Sequence, residues 1–93
     1  MLGLLLGLTV IALLTITLAI VRDYFTKKKE IDRVKTGILI REYLDSGKYR
    51  VIGGVLDSNK KVLNAQSWEA KDMDDELKAE FGQKKKIVYD MTA

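Results

Sequence analysis

Four carboxylates stand close together at Asp72, Asp74, Asp75 and Glu76, the densest set of groups in the chain that could hold a cation or move a proton. A calcium loop places ligands at positions 1, 3 and 5, Gly at 6 and Glu at 12. No such Gly follows Asp72, so the cluster reads as the acidic first turn of a helix. A paired acid–base site would need one carboxyl desolvated to raise its pKa, and nothing adjacent would do so. The chain has no His and no Cys. It therefore lacks the usual general base at neutral pH, the commonest metal ligand, and any thiolate or disulfide. Ser46, Ser58 and Ser67 lie in or beside turns, without the G-x-S-x-G context of a nucleophile elbow. These absences point away from an enzyme and from a resident cofactor or metal.

The lysines offer a different chemistry. Lys60 and Lys61, and separately Lys84, Lys85 and Lys86, could contact an anion, although a solvated face or compensation of a helix end accounts for them equally well. Gly53-Gly54 is neither a dinucleotide fingerprint nor a P-loop. It suggests a bulge, a bend or close approach of another backbone. Trp68 is the single tryptophan. It reads as a residue closing the core, with a partner-facing anchor as the alternative.

These residues must be positioned by elements read from the pattern. Leu2 to Val21 is an unbroken apolar run without a charge, Asn, Gln or Pro. About 20 such residues at ~1.5 Å rise would cross a bilayer core as one helix. The expectation is therefore a single transmembrane helix at residues 1–21. Gly3 and Gly7, with Ala12, Thr15 and Ala19, would form small-residue stripes for helix packing against a copy of the chain or a larger membrane subunit. A basic juxtamembrane collar follows at residues 22–33. Arg22, Lys27, Lys28 and Lys29 against Asp23 account for the whole net charge of +3, leaving residues 30 to 93 neutral. Placed beside a span, these cations would meet lipid headgroups and put the amino terminus outside and the remainder in the cytoplasm. Excess charge confined there argues against nucleic acid as a partner.

Residues 34–93 read as a small α+β domain. Val34, Thr36, Ile38 and Ile40 alternate onto one face of a strand, with a continued helix over 31–44 as the competing reading. Asp45 to Lys48 and Asp57 to Lys60 are turns, the second with Asn59 suited to αL. Residues 34 to 68 thus predict a three-stranded meander. Asp72 is a candidate N-cap, Met73, Leu77 and Phe81 recur on one helical face, and Gly82 fits the residue past its end. Ile87-Val88-Tyr89 closes a β-β-β-α-β order, with one sheet face covered by the amphipathic helix. The function expected from this layout is a non-catalytic, membrane-anchored accessory subunit of a larger complex. The alternative is an oligomeric, anion-sensing effector that perturbs the bilayer.

Overall fold

The computed structural model describes residues 9–92. Three strands form the predicted meander: β3 (Thr36–Tyr43), β4 (Tyr49–Leu56) and β5 (Val62–Ala70), paired antiparallel in sequence order. Their turns follow local chemistry. Gly47 takes φ 84° in the first turn. In the second, the Asp57 Oδ1 accepts the N–H groups of Asn59 and Lys61, each at 2.9 Å, and the left-handed residue is Lys60 (φ 63°), not Asn59. The carboxylate fastens the backbone on both sides of position 60, which moves the unusual torsion one residue on.

The last strand, β7 (Lys86–Asp90), pairs antiparallel with β3. The helical alternative for 31–44 is not formed. The other edge of the sheet comes from the amino-terminal side. There β1 (Val10–Ala12) lies parallel to β5, so the five-stranded sheet runs β1-β5-β4-β3-β7. A second ladder joins β2 (Thr15–Ile16) in parallel to β6 (Asp72–Met73).

The membrane-spanning helix is therefore not supported. Residues 1–8 lie outside the described residues, and from Val10 the apolar run becomes two short strands followed by a helix, α1 (Leu18–Lys28). Among the described residues no helix is long and apolar enough to cross a membrane. The local reason is visible in Thr9-Val10-Ile11 and Thr15-Ile16-Thr17, two clusters of β-branched residues that favour extended backbone. The tertiary reason is that part of this apolar content fills the core, while Val10, Ile11 and Leu14 stay exposed. Ile16 is 0%, Val21 1% and Leu18 5% exposed. The cytosolic orientation argued from the basic collar presupposed that span.

Thr17 caps α1, its Oγ1 accepting from the Ile20 N–H at 3.2 Å. Leu18, Val21 and Tyr24 then recur along the buried face, and Lys27 and Lys28 complement the dipole in the last turn. The second helix, α2 (Asp75–Phe81), begins two residues later than the sequence suggests. Its cap is Asp74, because Asp72 is held in β6. One Asp74 carboxylate serves both helices, accepting from Leu77 N at 2.9 Å and from Leu18 N at 3.2 Å. Both helices lie over the same face of the sheet. Their side chains meet Leu39, Val51, Trp68, Ala70 and Met73 there to form the core.

Candidate functional site

Strand alternation divides the sheet residues between two faces. Gly53 fixes the covered face, since a Cβ at that position would stand 3.2 Å from the Trp68 ring and 3.3 Å from the Tyr24 ring. Only a missing side chain lets both aromatics lie on the strand. They meet edge to face with centroids 5.5 Å apart, and the Tyr24 hydroxyl donates to Asn64 Oδ1 at 2.9 Å. Burial raises the Tyr24 pKa to about 12. Trp68 is 3% exposed, which bears out the core reading. The strand register runs without interruption through Gly53-Gly54, and the irregularity lies between Val55 and Leu56. The expected bulge or bend is thus replaced by close approach of aromatic side chains.

The opposite face is the candidate site. Gly54 marks it, facing Ile38 and Ala65. In register with Gly54 run Ile38, Ile40 and Thr36 on β3, Ile52 and Leu56 on β4, and Ala65 and Ser67 on β5. Val10 and Val88 extend the same face onto the two outer strands. The alternation seen at Thr36, Ile38 and Ile40 therefore belongs to this face, while Leu39 belongs to the core. No described helix or strand lies over it, and its exposure is uneven, with Ile52 and Leu56 buried, Ile38 and Ile40 half-buried, and Val10 and Val88 exposed. Its rim carries both signs of charge. Arg50 donates to Glu69 Oε2 from Nη2 at 2.8 Å and from Nε at 3.1 Å, and Lys86 and Asp90 flank Val88. Ser67 is buried near the centre, and among the described residues its Oγ has no hydrogen-bond partner.

The residues expected to pack a membrane helix do not form a helical stripe. Ala12 lies in β1, Thr15 pairs with Asp72 in β2–β6, and Ala19 is exposed on α1. Gly3 and Gly7 lie outside the described residues. The basic collar is carried on α1 and its end. Arg22 is exposed, Lys27 pairs with Asp23 at 3.0 Å, Lys28 sits 6.0 Å from the Tyr24 ring centroid, and Lys29 is the C-cap.

The two lysine groups are not brought together. Lys60 and Lys61 occupy the β4–β5 turn, whereas Lys84 to Lys86 lead into β7 at the other end of the strands, where Lys86 faces Ile40. At that second end Arg41, Glu42, Tyr43, Tyr49 and Lys85 line an open cleft of about 380 Å³. Arg41 is committed to backbone carbonyls, donating to Lys84 at 2.9 Å and Gly82 at 3.3 Å. Tyr43 and Tyr49 pack edge to face 5.0 Å apart.

The acidic cluster is dispersed by its structural duties. Asp72 pairs with Lys78 at 3.2 Å, and hydrogen bonding from that lysine lowers the Asp72 pKa. Asp74 caps, and Asp75 and Glu76 are exposed in the first turn of α2. Among the described residues no group of three potential ligands is placed to hold a metal. What sequence reasoning missed is the second apolar face. The signal was present in β4, where YRVIGGVL is apolar at odd and even positions alike from Val51 onward, the pattern of a strand with both faces removed from water.

No family model matches the chain, and neither a curated protein nor a solved structure resembles it detectably.

Proposed function

We propose that this chain is a non-catalytic interaction module, an accessory subunit that docks on a larger protein through the sheet face turned away from both helices. The observation that carries the reading is the composition of that face. Its apolar residues are Val10 and Val88, both exposed, and Ile38 and Ile40, both half-buried, with Ile52 and Leu56 buried between them, and its rim mixes Arg50, Lys86, Glu69 and Asp90. Contiguous apolar surface bounded by polar groups marks interaction sites. A rim with both signs fits a protein surface, whereas an anionic bilayer calls for cations alone. The absence of His and Cys from the chain agrees with a binding role. The spanning helix forms no part of this proposal.

The test places a photo-crosslinking amino acid at Ile38, with Ser58 in the β4–β5 turn as the control position. The expected result is an adduct with one defined protein from Ile38 and none from Ser58. The purified partner should bind the unmodified chain, and Ile40→Glu should weaken binding at least about tenfold, the loss expected for a charge placed in a desolvated contact. Ile40 faces Lys86 across the strands, so the new carboxylate has a partner in the free protein and the fold is retained. Equal crosslinking from both positions would overturn the reading. So would sedimentation with phosphatidylglycerol vesicles that Ile40→Glu abolishes, which would assign the face to lipid.

A further inference from the structure

We infer that β7 is a self-complementary edge, through which two copies of this chain pair antiparallel about Val88 to join their sheets. This rests on strand geometry and charge order, independently of what docks on the sheet face.

The first observation is which backbone groups of β7 are free. The Met91 N–H donates to the Lys35 carbonyl and the Arg41 N–H to the Lys85 carbonyl. In an antiparallel ladder such bonded positions alternate. Residues 85, 87, 89 and 91 therefore turn their N–H and C=O groups toward β3, and Lys86, Val88 and Asp90 turn theirs outward. Strand β7 ends the sheet order, so no described strand meets these outward groups.

The second observation is the register that a two-fold axis imposes. Centred on Val88, it sets Val88 against Val88, and Lys86 against Asp90 of the second copy. These are the residues with outward groups, so each facing pair closes two backbone hydrogen bonds. The same register sets Lys86 beside Asp90 of the other copy at both ends. It also sets Ile87 against Tyr89 on the helix-covered side, an aliphatic–aromatic cross-strand pair. Shifting the axis to Lys86 would oppose like charges, which disfavours that alternative.

The third observation is how little guards this edge. Natural edges are blunted by Pro, bulges, very short strands or charges in mid-strand. The chain has no Pro, β7 pairs with β3 without a register shift, and its central Val88 is 60% exposed. The other outer strand, β1, has three residues. The two β7 charges stand at its ends, where they select a register instead of blocking approach.

The experiment uses the full chain. It contains no Cys, so Val88→Cys introduces a single thiol. Opposed residues of a hydrogen-bonded pair have Cα atoms ~5.5 Å apart, within disulfide reach. Under mild oxidation Val88→Cys should give a covalent dimer at least about tenfold faster than Ser58→Cys, because pairing raises the local thiol concentration. In sedimentation velocity the unaltered chain should show a concentration-dependent dimer. Lys86→Asp and Asp90→Lys, both at exposed positions, should each leave a monomer with unchanged circular dichroism, and the double exchange should restore the dimer. Crosslinking no faster at position 88 than at 58 would overturn the inference. So would a chain that stays monomeric at the highest attainable concentration, or single charge variants that dimerise like the parent.

Discussion

Replacing Ile16 with Ala separates a folded amino-terminal segment from an apolar run that serves lipid. Ile16 is 0% exposed in β2, within the core cluster that contains Leu18, Met73 and Leu77. Removing three buried carbons and leaving a cavity costs about 2–5 kcal/mol. The β2–β6 ladder has only two residue pairs, so the site can partly collapse, and a loss of about 3 kcal/mol is expected. A domain of this size holds roughly 5–10 kcal/mol in all and unfolds in urea with a slope of about 1 kcal/mol per molar. The urea midpoint should therefore fall by roughly 3 M, the slope unchanged. Leu14, two residues away and 95% exposed, is the matched control, and Leu14→Ala should stay within about 0.5 kcal/mol. The assay is equilibrium urea unfolding followed by the fluorescence of Trp68, which lies in the same core. Equal midpoints for Ile16→Ala and the parent would refute the placement of this segment in the core.

Asp74→Ala should cost about 1–3 kcal/mol in the same assay, since it uncaps α2 and removes the acceptor of the Leu18 N–H at the start of α1. Gly53→Ala should destabilise by about 1–3 kcal/mol, because its Cβ would press on Trp68 and Tyr24 at 3.2–3.3 Å. Tyr24 supplies a pH prediction. Its folded pKa is raised to about 12 from a model-compound value of 10.0, so the folded state holds the proton longer than the unfolded chain. This contribution to stability is complete below about pH 10 and declines as pH rises toward 12. Spectrophotometric titration should show a step near pH 12 that Tyr24→Phe removes, while Tyr89, which burial and its hydrogen bond to Glu80 also push up, still ionises late. Ser67→Ala should be neutral or slightly stabilising, because the buried Oγ has no partner among the described residues to lose.

The meander, both of its turns and the closing strand were legible because their signals are local. Alternation marked β3, Asp57 and Gly47 marked the turns, and Ile87 to Tyr89 followed a helix stop at Gly82. The acidic start of α2 was legible too, but the choice among three aspartates was not. Asp72 is drawn into β6 by pairing with Thr15, a residue far away in sequence, which leaves Asp74 as the cap. Trp68 was legible as core because a large ring beside an amphipathic helix has few other places to go.

The amino-terminal segment shows where such reading stops. Hydropathy reports that Val10 to Val21 avoids water, and the fold agrees at Ile16, Leu18 and Val21. It cannot report what replaces the water. A bilayer and the interior of a small sheet are both apolar, and the β-branched clusters at 9–11 and 15–17 tip the choice only when β5 and β6 offer edges to pair with. The same holds for the candidate site. Sequence determined that both faces of β4 are apolar and that β7 carries Lys, Val and Asp in mirrored charge order. Only tertiary structure decided that both helices take one face, leaving the other without a described helix over it, and that β7 stands at the end of the sheet. Long-range packing assigns each apolar residue its neighbour, and that assignment has no period in the chain.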